Sequence, residues 1–148
     1  MTAKPIKILL VDDDPDDVLL TTEELKAAPF QSDLSIVHDG VEAMAYLRRE
    51  GEHSQAPRPD VVLLDLNMPR KNGREVLAEI RETPDLQDIL VVVLTTSLAD
   101  RDMIKAGVFR AHYINKPVMA HELLNVLNEP GEFFATTAKP RRRGKGKA

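Results

Sequence analysis

Apolar residues along this chain gather into five short runs, and between the runs they recur at helical spacing instead. The runs predict strands over Ile6–Val11, Leu34–His38, Val61–Leu64, Ile89–Leu94 and Ala111–Asn115. The third and fourth are unbroken stretches of Val, Leu and Ile, the pattern of strands covered on both faces in a parallel sheet. Helix signals fill the gaps. Asp14-Pro15 reads as an N-cap and first helical residue, opening a helix to about Ala28. Asp39-Gly40 starts a second, with Val41, Met44, Ala45 and Leu47 at helical spacing. Asn72-Gly73 precedes a third in which Val76, Leu77 and Ile80 share a face, closed by Thr83-Pro84. A fourth is expected within Asp100–Ala106. A fifth runs from about Met119 to Leu127, with Met119, Leu123 and Leu127 on one stripe. Crossovers of this length require parallel pairing with right-handed connections. The expected fold is α/β, a doubly wound five-stranded parallel sheet of (βα)5 form.

Composition narrows the class without changing that picture. At 148 residues the chain suits one domain, here taken as 1–130 with a C-terminal extension over 131–148. There is no cysteine, so disulfides, thiol nucleophiles and thiolate metal sites are excluded. No apolar run approaches the roughly 18 residues of a spanning helix, and Met1–Pro5 lacks a signal-peptide core. A cytoplasmic setting is the expectation. The net charge is −4, and setting aside the six basic residues of the last ten positions leaves −10 on the remainder. An acidic body speaks against nucleic-acid binding by the folded part. The basic tail reads as disordered, either a solubilising end or a contact for phosphate or anionic lipid. Phe133-Phe134 needs burial, against the domain or in a dimer.

The chemistry sits at the strand ends. The first strand ends in Asp12-Asp13-Asp14 and the third in Asp65-Leu66-Asn67. Ligands bind at the carboxyl ends of strands in open α/β sheets. If those two strands are neighbours, Asp12, Asp13 and Asp65 converge, and three close carboxylates require a cation or protons. Hard oxygen donors without sulfur or a His pair point to Mg²⁺. Asp16 and Asp17 read as ordinary acids at a helix N-terminus, favoured by the helix dipole. The fifth strand runs into Asn115-Lys116-Pro117, where a lysine can reach over the pocket as a point charge and Pro117 can shape the loop. The fourth ends in Thr95-Thr96-Ser97, whose hydroxyls either face a phosphoryl group or cap the next helix. His38, His53, His112 and His121 show no metal spacing. Met44, Met68, Met103 and Met119 read as packing residues.

With these residues in place the sequence resembles, over roughly Ile6 to Leu127, the receiver domain of two-component response regulators, the CheY-like family. The resemblance implies the flavodoxin-like strand order 2-1-3-4-5. It implies a phosphoacceptor at Asp65 and a Mg²⁺ site of Asp12, Asp13, Asp65 and the backbone carbonyl of Asn67. Lys116 then corresponds to the family's phosphoryl-binding lysine, Thr95 to the switch hydroxyl and Tyr113 to the switch aromatic. Asn67 and Ser97 take positions that tune hydrolysis. Leu10–Val18, Tyr46–Gly51, Leu66–Leu77 and Val91–Ser97 are more similar still to regulators paired with bacterial phytochrome-type histidine kinases. Three departures stand out: Phe109-Arg110-Ala111 where the family has a Gly-Ala pair before the aromatic, a stretch from Thr95 to Lys116 about one residue shorter than usual, and Thr96 where a smaller residue is usual.

The implied function is that of a single-domain response regulator. It accepts a phosphoryl group from a sensor histidine kinase and acts by protein contact or by onward transfer to a histidine phosphotransfer protein. It is not otherwise an enzyme. A homodimer through the fourth helix, fifth strand and fifth helix, or through the extension, is compatible with it; no DNA-binding domain or membrane span is expected. The alternatives are a haloacid-dehalogenase-type phosphatase, which wants Asp where Asn67 stands, and a receiver-fold interaction module that takes no phosphate.

Overall fold

The computed structural model describes residues 5–66, 68, 71–95 and 111–128, with the side chains of Thr95 and Asn128 excepted. The expected fourth helix, Phe133-Phe134 and the 131–148 extension lie outside them. The strands are β1 (Ile6–Val11), β2 (Ser32–Val37), β3 (Val61–Asp65), β4 (Leu90–Thr95) and β5 (His112–Asn115), and the helices are α1 (Pro15–Lys26), α2 (Gly40–Arg48), α3 (Gly73–Glu82) and a C-terminal helix (Ala120–Asn128). The sheet has the order β2-β1-β3-β4-β5, with every pair parallel.

Alternation along the strands sends side chains into two cores. Leu9, Val11, Val62, Leu64, Val91 and Val93 join Met44 and Leu47 of α2 and Val76, Leu77 and Ile80 of α3 on one face. Ile8, Leu10, Leu63, Val92 and Leu94 meet Leu25 of α1 and Leu123 of the C-terminal helix on the other. Full burial of each such side chain contributes about 1.5–3 kcal/mol. That double cover explains why the third and fourth runs carry no polar interruption.

Differences from expectation fall at the edges. β2 begins at Ser32 because Ile6 pairs with Ser32 and Lys7 with Asp33; backbone pairing on an edge strand needs no apolar side chain. Val41 is 49% exposed, and the buried stripe of α2 is Ala43, Met44, Tyr46 and Leu47 instead. Met119 precedes its helix and is 37% exposed, whereas Leu123 is fully buried. The helix starts are set by side-chain caps. The Asp14 carboxylate accepts from the backbone of Asp16 and Asp17, Asp39 accepts from Glu42, and Asn72 forms a reciprocal box with Glu75, each worth about 1 kcal/mol. No helix among the described residues is long and apolar enough to cross a membrane.

Candidate functional site

Because β1 and β3 are neighbours with Val11 opposite Leu64, the acids that follow them emerge side by side. Asp12, Asp13 and Asp65 each present a carboxylate oxygen, and these oxygens lie within 4.8 Å of one another. Asp12 is fully buried and Asp65 is 4% exposed, while Asp13 faces solvent. Backbone contacts hold this arrangement. The Asp12 N–H donates to Val37 O at 3.1 Å, and its Oδ1 accepts from the Asp14 N–H at 3.0 Å. Behind Asp65, Gly73 donates to Leu66 O at 3.1 Å. A Cβ on Gly73 would sit 2.3 Å from the Asp65 carbonyl oxygen, so only glycine lets α3 start this close to the pocket.

The counter-charge arrives from β5. Lys116 Nζ lies 3.1 Å from Asp65 Oδ2 and 3.6 Å from Asp12 Oδ2, and it donates to Asp17 Oδ2 at 2.8 Å. The Lys116–Pro117 peptide bond is cis. Burial opposes charge on Lys116, but its hydrogen bond to Asp17 and the carboxylates of Asp65 and Asp12 outweigh burial and hold its pKa above the ordinary value. Asp12 shifts the other way for an acid. Burial pushes its pKa up to about 6, with Asp65 and Asp17 adding to the rise against the Asp14 N–H and Lys116. Among the described residues, one ammonium faces four carboxylates, and Asp12 Oδ2 has no hydrogen-bond partner. A buried carboxylate oxygen that accepts no hydrogen bond and faces two other acids is what a hard divalent cation satisfies. The donor set therefore fits such an ion.

Of the other residues singled out from sequence, Tyr113 is half-buried and packs at the margin of the α2–α3 core. Pro117 is exposed and Val118 buried beside the pocket. Asn67, Ser97 and the Thr95 side chain lie outside the described residues. Two residues that sequence reasoning passed over take part. Asp17 holds the lysine, and Glu24, seven positions on, accepts from the backbone N–H of Ala120 at 2.9 Å.

The model of the response regulator receiver domain matches residues 8–128. The chain belongs to this family. The receiver is 42% identical over 134 residues to the response regulator Rcp1 of Synechocystis sp., covering 90% of this chain and 91% of that one. Among solved structures it is similar to the phosphorylated cyanobacterial phytochrome response regulator RcpA, with TM-score 0.71, 43% identity and coverage of 92% and 98%. It is likewise similar to the bacteriophytochrome response regulator AtBRR, with TM-score 0.78, 32% identity and coverage of 85% and 92%. Rcp1 has also been solved in a Mn²⁺-bound form, TM-score 0.70 at 42% identity, covering 91% and 98%. The acidic cluster of this receiver has a donor set that suits a hard divalent cation, and the family is that of two-component response regulators.

Proposed function

We propose that this receiver accepts a phosphoryl group on Asp65 from the phosphohistidine of a sensor histidine kinase, with Mg²⁺ as its ion. The supporting observation is the convergence of three carboxylates with the Lys116 ammonium 3.1 Å from Asp65. Asp12, Asp13 and Asp65 hold the ion, together with the carbonyl of Asn67. When bound, Mg²⁺ supplies neutralisation of charge on the transferring oxygens. A carboxylate oxygen of Asp65 attacks phosphorus and forms the acyl phosphate. The bond from phosphorus to the imidazole nitrogen breaks, and the imidazole leaves with the electron pair. Lys116 offers N–H donors to the phosphoryl oxygens. Later attack by water returns the carboxylate and free phosphate, which Asn67 and Ser97 tune.

The new charge then draws the Thr95 hydroxyl inward, and Tyr113 follows into the vacated space. Phosphate shifts a population between two states of the β4–β5 side, limited by its differential contacts with them. Similarity to RcpA, Rcp1 and AtBRR supports a phytochrome-type photoreceptor kinase as the donor. The output passes by protein contact or to a histidine phosphotransfer protein, in the cytoplasm.

Incubation with acetyl phosphate and Mg²⁺, read by intact mass, tests the assignment. The wild-type chain gains one phosphoryl group, chelation of Mg²⁺ prevents the gain, and Asp65→Asn remains unmodified. Normal phosphorylation of Asp65→Asn would falsify it.

A further inference from the structure

Asp17, Thr21 and Glu24 occupy positions i, i+4 and i+7 of α1, a single stripe of the helix. Both carboxylates of that stripe reach into the segment joining β5 to the C-terminal helix. Asp17 takes the Lys116 ammonium at 2.8 Å and Glu24 takes the Ala120 N–H at 2.9 Å. Between these points the segment lies close against α1. Thr21 is 3% exposed and Val118 is 1% exposed, and the space left among Asp12, Thr21, Lys116 and Val118 is only about 10 Å³. Each bond joins residues more than ninety positions apart, and the second satisfies a free N–H at the start of the C-terminal helix from a distant part of the chain.

Lys116 has three N–H donors, and its other two acid contacts, Asp65 and Asp12, belong to the cluster that a divalent ion would occupy. A cation entering that cluster competes with the ammonium for the same oxygens. Among the described residues, Asp17 is the acid contact of Lys116 outside the cluster. We propose that α1 acts as a two-point carboxylate clamp, in which Asp17 positions Lys116 for contact with the phosphoryl group while Glu24 fixes the far end of the same segment. This makes Asp17 a positioning residue, acting through Lys116, and it rests on the reading of Asp65 as acceptor and Lys116 as its phosphoryl partner.

Two measurements on the full chain test the clamp. The first is the maximal rate of phosphorylation by acetyl phosphate in saturating Mg²⁺. Asp17→Asn is expected to lower it about tenfold, Asp17→Glu to restore more than half of the loss, and Glu24→Gln to lower it about twofold. The second is a urea-unfolding cycle over wild type, Asp17→Asn, Lys116→Gln and the double variant, which reads coupling whether or not the lysine variant is phosphorylated. Coupling between positions 17 and 116 is expected. A wild-type rate for Asp17→Asn overturns the clamp alone, as does a slowed rate with no coupling in the cycle. A wild-type chain that takes no phosphoryl group overturns the underlying reading, and the clamp with it.

Discussion

Two clusters of charge in this receiver are assembled from similar parts and end in opposite conditions. At the carboxyl ends of β1 and β3, Lys116 is the one cation among the described residues that faces Asp12, Asp17 and Asp65, and Asp12 is buried with one oxygen that accepts no hydrogen bond. Across α2 and α3 the ratio is inverted. Glu79 of α3 takes Arg48 of α2 at 2.6 Å and also pairs with Lys71. Burial in the first cluster raises the pKa of Asp12, with the neighbouring acids adding to the rise; the second cluster lowers that of Glu79, chiefly through the Lys71 hydrogen bond. The difference separates a site from a brace. A cluster with cations to spare and open to water is electrostatically complete. A buried one short of positive charge is stabilised by whatever brings it, and that makes it responsive to an ion.

The largest effect is expected from Asp12→Asn. Removing a buried acid from a crowded pocket should stabilise the metal-free protein by about 1–3 kcal/mol in urea unfolding. The same change should weaken Mg²⁺ binding about tenfold or more by calorimetry. A variant that loses stability without metal would break the comparison, because the pocket would then be no less complete than the brace.

Next in size is a pair of glycines that bring each cluster against backbone. A Cβ on Gly73 meets the Asp65 carbonyl at 2.3 Å, and one on Gly40 meets the Lys71 carbonyl at 2.1 Å. Gly73→Ala and Gly40→Ala should each cost about 1–3 kcal/mol. Only Gly73→Ala should also reduce Mg²⁺ affinity, since only it displaces a proposed ligand. Equal metal affinity in the two variants would show that the pocket tolerates backbone movement.

The smallest effects are in pH dependence, where the clusters should pull in opposite directions. Asp12 holds its proton more tightly folded than unfolded. Its contribution to stability is therefore complete below its ordinary value of 3.8 and lost as pH rises through about 6. Glu79 behaves inversely: its contribution is complete above its ordinary value of 4.5 and lost as pH falls below it. In metal-free protein, Asp12→Asn should remove the decline on the rising side. Glu79→Gln should flatten the acid side and cost up to about 1 kcal/mol at neutral pH, as befits a partly exposed pair screened by solvent. A decline toward pH 6 that survives Asp12→Asn would assign it to another group.

Much of this was legible in the sequence, for reasons that differ by element. The runs Val61–Leu64 and Ile89–Leu94 announced central parallel strands because both of their faces must be apolar. Asp12, Asp13, Asp65 and Lys116 were legible because chemistry in such sheets concentrates where strands end. β2 was less clear, since Ser32 and Asp33 are placed by pairing with β1 and not by burial. Asp17 and Glu24 were illegible. Asp17, in the first turn of its helix, has a local explanation in the helix dipole, Glu24 in the last turn reads as an ordinary solvated acid, and nothing local marks a partner on the opposite end of the chain. The exposure of Met119 and Val41 was missed for a related reason, because helical spacing identifies a stripe but not the residue at which the helix begins to face the core.

The span between Asp17 and Lys116 also sets when the site is assembled. During synthesis the acids of β1 and β3 exist by residue 65, while the amine that faces them is added 51 residues later and must return across the finished half of the sheet to α1. Until then the nascent chain carries the carboxylates without this counter-charge. On the proposed reading of Lys116 as the phosphoryl partner, completion of the sheet and readiness to receive the signal are one event.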